Sequence, residues 1–205
     1  MSDEPPLLLL TDQPALRLRH LRVDDAPQLF ALVDRNRAWL RTWLPWLDTT
    51  TTVLHSLAFI EHLRREHTAG RRFTCGLFYK GQLVGIAGSH PIDHVNRACQ
   101  FGYWLDEAHT GRGLMTSAIR ALLAHAFTTL QLHRVEIRAA PGNYASQAVC
   151  ERLGFIREGV VRDGEWLYDR YVDLTVNSML AREWHVLHAD ADANALAPSH
   201  NDDVP

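Results

Sequence analysis

The chain has 205 residues, a formal net charge of −3 at neutral pH and three cysteines. This length suits one domain with a sizeable hydrophobic core, which we expect over residues 1–188. Residues 189–205 contain aspartates but no lysine or arginine, and their Ala/Asp/Pro composition predicts a disordered acidic tail. Without this tail the chain is close to neutral, so it lacks the basic surface that is typical of nucleic-acid-binding proteins.

The apolar segments predict neither secretion nor a membrane span. Residues 7–10 are all leucine, but this run is too short for a signal peptide and acidic residues precede it. No apolar run approaches the length of a transmembrane helix. The twelve histidines show no recognised spacing of metal ligands, so we expect no metal site. An odd, widely spaced cysteine set is typical of reduced core residues in a cytoplasmic protein, and we assign that role to Cys75, Cys99 and Cys150.

In chain order, the hydrophobic patterns predict a mixed α/β domain. Alternating or short apolar runs predict strands at 16–21, 73–79, 83–88, 99–105, 135–139, 157–162 and 166–176. Helical periodicity predicts helices at 24–33, 38–47, 53–67, 114–127 and 144–153. We expect Gly154 to end the last of these helices, and Asp163-Gly164 to form a type I′ hairpin turn.

The most informative segment is 102–118 (GYWLDEAHTGRGLMTSA), where a strand leads through a glycine-containing loop into a helix. Gly111 and Gly113 let the backbone approach a ligand closely, and the N terminus of the new helix attracts anions. This arrangement favours a phosphate-bearing cofactor, although glycines also form ordinary tight turns. The loop lacks the GxxxxGK[ST] pattern of phosphate-loop NTPases and the third glycine of dinucleotide-binding domains.

This loop and two further segments resemble the GCN5-related N-acetyltransferase (GNAT) family. Residues 110–115 are similar to its acyl-CoA loop, Gln/Arg-x-x-Gly-x-Gly/Ala, at Gly113 but not at the first and last positions. Residues 36–40 (NRAWL) and 143–155 (NYASQAVCERLGF) resemble the RimJ/RimL type, the ribosomal-protein N-terminal acetyltransferases. The resemblance implies the GNAT fold: a mixed, mostly antiparallel sheet with a central parallel pair splayed to hold acetyl-CoA, and helices on both faces.

The resemblance also implies that acetyl-CoA is the acyl donor and that no metal takes part. Its pantetheine arm would pair with the strand backbone at Trp104 and Leu105, and Asn143 would hydrogen-bond the amides of the arm. From the sequence alone, Asn143 is more simply an N-cap of the following helix, and the two roles are compatible. The pyrophosphate would lie on the backbone N–H groups of a loop formed by Thr110, Gly111, Arg112, Gly113, Leu114 and Met115.

Two residues are candidates for proton transfer. Ser146 lies one turn into the helix, on the same face as Asn143, where its hydroxyl would protonate the departing CoA thiolate. Its alternative role is that of an ordinary serine at a helix N terminus. Many relatives use a tyrosine for this task, at the position of Cys150, which is unsuited to it. Glu165 matches the position of the catalytic glutamate of RimL-type enzymes and would accept the proton of the attacking amine; otherwise it is a solvated charge.

The acceptor is an amine whose identity the sequence leaves open. An α-amine, with a pKa of about 8, needs less help from a carboxylate than a lysine amine with a pKa of about 10.4, which favours a protein N terminus. Trp39 and Trp43, together with Trp46, would share one helical face where family members shape the acceptor pocket, but core packing explains two of the three equally well. The alternatives are a small amine, such as an amino sugar or an aminoacyl-type antibiotic, and a catalytically silent acyl-CoA-binding module. A homodimer is one of the oligomeric states left open.

Overall fold

The computed structural model describes residues 7–195, and an eight-stranded sheet forms its centre. The strand order across the sheet is β1-β2-β3-β4-β5-β6-β8-β7. All neighbouring strands are antiparallel except β5 and β6, which are parallel. The strands are β1 (Leu8–Leu10), β2 (Leu16–Arg19), β3 (Thr74–Tyr79), β4 (Gln82–Ser89), β5 (Ala98–Leu105), β6 (Arg134–Ala139), β7 (Ile156–Leu167) and β8 (Arg170–Leu180).

Helices cover both faces of the sheet, and each face has its own buried cluster. On one face, which we call the α4 face, helices α4 and α5 pack against alternate residues such as Cys75, Cys99 and Phe101. On the opposite face, the α1 face, helices α1, α2 and α3 pack against Phe78 and Ile86. The helices are α1 (Ala26–Arg35), α2 (Arg37–Arg41), α3 (Val53–Thr68), α4 (Leu114–Ala124), α5 (Tyr144–Leu153) and α6 (Ala181–Ala195). None of these described helices is long and apolar enough to cross a membrane.

The two covered faces explain the hydrophobic patterns of the central elements. Strand β4 is buried along nearly its whole length, as expected for a strand with helices on both sides. Helix α4 buries its predicted apolar face and continues into a wider π turn over His125–Thr129, which places Phe127 in the same core. The three cysteines are free and buried, which confirms the prediction that they are reduced core residues.

The predicted fold class, a mixed and mostly antiparallel sheet with one parallel pair, is confirmed. Gly154 ends α5 with a φ of 80°, as predicted. The predicted helix 38–47 is wrong in extent, because α2 ends at Arg41 and only a short 3₁₀ turn follows at Leu47–Thr49. Two elements were not predicted, strand β1 and helix α6. Helix α6 extends to Ala195, into the segment predicted as a tail, and residues 196–205 lie outside the described residues.

The predicted hairpin turn at Asp163-Gly164 is wrong. Strand β7 continues through this pair, and the chain reverses instead at Tyr168 and Asp169, where Tyr168 has a φ of 62°. The β7–β8 register shifts between Val161 and Glu165, so Asp163-Gly164 lies within a bulge. The physical reason is that a bulge accepts the same positive φ as a turn, and Asp163 has a φ of 49°. The bulge determines which face of the sheet Glu165 occupies.

Candidate active site

A cleft of about 940 Å³ opens where the two central parallel strands separate. The β5–β6 ladder pairs Ala98 with Arg134 and ends at Phe101 and Ile137. Beyond that point, residues 102–105 of β5 remain paired with β4 only. The backbone N–H and C=O groups on the other edge of β5 therefore face the cleft without a strand partner. An extended chain with amide groups can pair with this edge as an added strand does, which fits the predicted role of Trp104 and Leu105.

The glycine-containing loop forms one end of the cleft. Gly111 and Gly113 both have a φ of 72°, a conformation that residues with a Cβ rarely adopt. Helix α4 begins directly after Gly113, so its first N–H groups are free to bind an anion. The side chains do not compete for this site: the Thr110 hydroxyl donates to the Glu107 carbonyl, and the Arg112 guanidinium donates to the Ala108 carbonyl.

The hairpin between β1 and β2 holds this loop in place. Gln13 Nε2 donates to the Arg112 carbonyl oxygen at 3.2 Å. Asp12 accepts hydrogen bonds from Ser117 and Arg120 of α4. All six residues predicted for the pyrophosphate line the cleft, and two of them, Leu114 and Met115, have buried side chains. Backbone groups therefore form the cradle, and it fits a pyrophosphate without any metal ion.

On the α4-face side of the cleft, Asn143 and Ser146 come together at the start of α5. The Asn143 side-chain oxygen accepts a hydrogen bond from the Ser146 backbone N–H at 3.2 Å, so the N-cap role is confirmed. The Asn143 amide N–H₂ stays available to a ligand in the cleft. The Ser146 residue is 9% exposed, and its Oγ lies 2.8 Å from the Tyr103 hydroxyl of β5.

Tyr103 is a site residue that the sequence analysis missed. Its phenol reaches across the splay to Ser146 and also contacts the Cys150 thiol, at the helical position where many relatives carry a tyrosine. Burial raises the pKa of Tyr103, so the phenol keeps its proton. Burial likewise raises the pKa of Cys150 to about 12, which keeps the thiol neutral. The sequence pattern that could have identified Tyr103 is the alternation of Phe101, Tyr103 and Leu105, which places all three on the α4 face of β5.

Glu165 lies on the opposite side of the cleft, on the α1 face. It pairs in the β7–β8 ladder with Val172, and both residues line the cleft beside Leu167 and Leu174. Partial burial among these apolar side chains raises the pKa of the Glu165 carboxyl above its ordinary value. The carboxylate forms none of the ion pairs found within residues 7–195, so its charge is not neutralised by a neighbouring cation. A carboxylate in this state is suited to accepting a proton.

The tryptophans form the wall of the cleft on the α1 face, although they do not share one helix. Trp39 lies on α2, whereas Trp43 and Trp46 lie in the segment that follows. Trp39 and Trp46 pack against the buried cluster of this face, and the Trp46 ring centroid is 6.3 Å from that of Trp104. The Trp43 ring reaches toward Gly142, next to Asn143. Two of the three are therefore core-associated, as expected, and Trp43 lies across the cleft near the segment that precedes α5.

The β7–β8 hairpin tip closes the cleft against this wall. The Tyr168 hydroxyl donates to the Leu44 carbonyl oxygen at 2.6 Å and accepts from the Leu47 N–H at 3.3 Å. The Arg41 guanidinium lies 3.7 Å above the Tyr168 ring. These contacts fix the distance between the tryptophan wall and the strand that carries Glu165.

The start of α2 is tied to the end of β5. The Asn36 side-chain oxygen accepts a hydrogen bond from the Glu107 N–H at 3.0 Å, and Arg35 pairs with Asp106 at 2.9 Å. Partial burial opposes ionisation of Asp106, but hydrogen bonds from Arg35, Asn36 and His109 lower its pKa below the ordinary value. The segment 36–40 therefore positions the tryptophan wall relative to the open edge of β5.

The histidines that the structure describes do not assemble into a metal centre. His94 contacts the Gly70 carbonyl oxygen, and His188 stacks on Trp184. Within the described range 7–195, no three His, Cys, Asp or Glu side chains come together as a candidate metal-binding group.

Comparison with known proteins identifies the family. The GNAT acetyltransferase domain model matches residues 15–156. The chain is 37% identical over 170 residues to YdaF of Bacillus subtilis (strain 168), provisionally named a ribosomal N-acetyltransferase, covering 82% of this chain and 93% of that protein. It is 28% identical over 162 residues to the ribosomal-protein-serine acetyltransferase of Escherichia coli (strain K12), covering 79% and 90%.

A solved structure shows the same fold with coenzyme A bound. RimL, described as a ribosomal L7/L12 α-N-protein acetyltransferase in complex with coenzyme A, aligns with a TM-score of 0.83 and 27% identity over 86% of this chain and 99% of that one. Acetyl-CoA supplies the acetyl thioester of the reaction. The open β5 edge and the glycine-containing cradle are the features of this chain that suit its pantetheine arm and pyrophosphate. The chain therefore belongs to the GNAT acetyltransferase family and is an N-acetyltransferase that uses acetyl-CoA.

Proposed function

We propose that the acceptor is the α-amine at the N terminus of a protein, with ribosomal proteins as the substrate class. The observation that supports this most directly is the unpaired, partly buried carboxylate of Glu165, across the cleft from the Ser146 hydroxyl. An α-amine with a pKa of about 8 loses its proton to such a group more readily than a lysine amine does. The names of the bacterial relatives agree with this acceptor, and a ribosomal acceptor would place the reaction in the cytoplasm.

In this proposal one proton transfer takes place on each side of the cleft. Glu165 accepts the proton that the attacking amine loses, and Ser146 donates its hydroxyl proton to the departing thiolate. Solvent carries the proton from Glu165 back to Ser146, so the products are the amide and free CoA and both side chains are restored. Tyr103 orients the Ser146 hydroxyl and is not itself required to lose a proton. Asn143 and the backbone of Trp104 and Leu105 hold the pantetheine amides, while Trp39 and Trp43 border the acceptor entrance.

The test is acetylation of synthetic peptides that begin with serine or alanine and contain an internal lysine. We expect one acetyl group on the α-amine, located by tandem mass spectrometry, and none on the lysine. A matched peptide with a blocked N terminus is the control and should not react. Acetylation confined to the lysine would contradict the proposal.

The second candidate is a small amine that carries an aromatic ring. The observation in its favour is the wall of Trp39, Trp43 and Trp46, which offers stacking surfaces. Release of free CoA with such an amine, together with no reaction on any peptide, would favour this candidate.

A further inference from the structure

A row of polar side chains crosses the α1 face of the sheet at the other end of the cleft. Arg72 precedes β3, His90 follows β4 and Gln100 lies in β5; all three line the cleft. They are lateral neighbours, because the His90 N–H donates to the Gln100 carbonyl at 2.7 Å and the Ser89 N–H donates to the Phe73 carbonyl at 2.7 Å. We call Arg72, His90 and Gln100 the polar row.

The polar row faces the acceptor side of the sheet rather than the CoA side. Phe73 and Phe101 point into the core of the α4 face, so the adjacent Arg72 and Gln100 point to the α1 face by strand alternation. The His90 ring lies over Gly102, since a Cβ built on that glycine would be 3.0 Å from His90 Nε2.

Arg72 lacks the partners that its neighbour has. Arg71 forms an ion pair with Glu66 at 2.7 Å. Arg72 forms none of the ion pairs found within residues 7–195, and its Nε is buried without a hydrogen-bond partner. The nearby positive charge adds to the effect of burial in lowering the pKa of His90, so this imidazole is neutral at pH 7. A buried guanidinium N–H without a partner is costly, and a carboxylate matches its geometry best.

A second buried polar group without a hydrogen-bond partner also indicates that this part of the cleft binds a polar acceptor. Ser56 of α3 is 2% exposed, lines the cleft, and its Oγ has no hydrogen-bond partner among the described residues. Buried hydroxyls are almost always bonded, so this one is available to a polar group of the acceptor. On the α1 face the cleft thus has two hydrogen-bond donors without partners, Arg72 Nε and Ser56 Oγ. Glu165 carries the only carboxylate among its described lining residues.

The spacing along the sheet determines which part of an acceptor would reach Arg72. Gln100 lies four residues before Trp104 on the same face of β5, which is about 13 Å at roughly 3.3 Å per residue. Between them lie Gly102 and its β4 partner Gly88, which add no side chain of their own, and the His90 ring lies over Gly102. An extended peptide covers about 3.3–3.6 Å per residue, so its fourth or fifth residue lies over the polar row when its α-amine is beside Trp104.

We propose that Arg72, with Gln100 in the same polar row, forms a subsite for an acidic side chain at the fourth or fifth residue of the acceptor peptide. This inference rests on the proposed function, because it assumes that a peptide α-amine enters the cleft. The guanidinium would bind the carboxylate through paired N–H donors, and Gln100 would contribute a further amide donor.

The test compares peptides that differ only at positions four and five, with Asp or Glu exchanged for Asn or Gln. For the wild-type chain we expect kcat/KM to be about 10- to 100-fold higher for the acidic peptides, mainly through KM, as for a charge-assisted hydrogen bond. Arg72→Gln should remove this preference by lowering kcat/KM for the acidic peptides to the value for the amide peptides with the same variant. Arg72→Lys should retain part of the preference, because it keeps the charge but loses the paired geometry.

Arg65→Gln is the matched control, since Arg65 is exposed on α3 and does not line the cleft. It should keep the full preference. Equal kcat/KM for acidic and amide peptides with the wild-type chain would overturn the subsite even if Arg72→Gln fails to fold. A preference that survives in folded Arg72→Gln would overturn it as well. If no peptide is acetylated although acetyl-CoA binds, the proposed function fails and the subsite fails with it, an outcome distinct from acetylation without preference.

Discussion

Replacing Glu165 with glutamine removes the proposed proton acceptor and keeps the size of the side chain. We expect kcat/KM at pH 7 to fall about 100-fold, at the lower end of the effect of a general base. An α-amine with a pKa of about 8 is roughly one-tenth neutral at pH 7 and nearly all neutral at pH 9. Since the variant depends on amine that has already lost its proton, its deficit should shrink to about tenfold by pH 9.

The fold should tolerate this change. Burial raises the pKa of Glu165 in the folded state, so the group favours folding at low pH, and this contribution is lost as the pH rises through its folded pKa. At pH 7 the ionised carboxylate therefore lowers the stability of the folded state, and glutamine should leave the melting temperature unchanged or slightly higher. Circular dichroism and thermal melts check this point.

The assay is the pH profile of kcat/KM for a peptide acceptor, followed by release of the CoA thiol. About ten pH values between roughly 5.5 and 9.5 bracket the pKa of the amine. Asp169→Asn is the matched control, because Asp169 lies on the same hairpin, exposed and outside the cleft. Its profile should overlay that of the wild type. Profiles for Glu165→Gln that also overlay the wild type would refute the reasoning and reduce Glu165 to a partly buried charge.

Three further substitutions test the CoA side of the cleft. Gly113→Val should abolish acetyl-CoA binding, because a β-branched residue resists the φ of 72° and would crowd the Gln13 side chain; unchanged affinity by calorimetry on folded protein would contradict the cradle. Ser146→Ala should lower kcat by about 10- to 1000-fold with little change in acetyl-CoA affinity, and undiminished turnover would leave Ser146 with only its helix-terminus role. Tyr103→Phe should lower kcat less than Ser146→Ala and lower the free energy of unfolding by about 1 kcal/mol, because one hydrogen bond is lost. A loss of stability without any change in kcat would restrict Tyr103 to a structural role.

The sequence was sufficient for the central part of the fold and for the CoA side of the site. The glycines at 111 and 113, followed by a strongly periodic helix, are local features whose backbone geometry depends little on distant contacts. The same holds for Asn143, which caps its own helix three residues from Ser146. Such short-range relations can be derived from propensity and capping rules.

The acceptor side could not be derived in the same way. The Asp163-Gly164 pair predicts a turn by local rules, but pairing of β7 with β8 on both sides of it converts it into a bulge. The tryptophans fit a helical spacing, yet α2 ends at Arg41, ahead of Pro45, and the Tyr168 hydroxyl of the hairpin tip bonds to the backbone at Leu44. Strand alternation places Tyr103 on the α4 face of β5, but its contact with Ser146 depends on long-range packing, as does the position of Arg72 in the cleft.

The central claim is that this chain transfers acetyl groups to protein N termini. Mass spectrometry of ribosomal-protein N termini, in cells with the gene intact, deleted and restored as Glu165→Gln, tests it most directly. The account predicts that at least one ribosomal protein loses N-terminal acetylation on deletion, regains it with the intact gene, and does not regain it with the variant. An unchanged set of acetylated N termini in the deletion strain, with purified enzyme acetylating only small amines, would contradict the account.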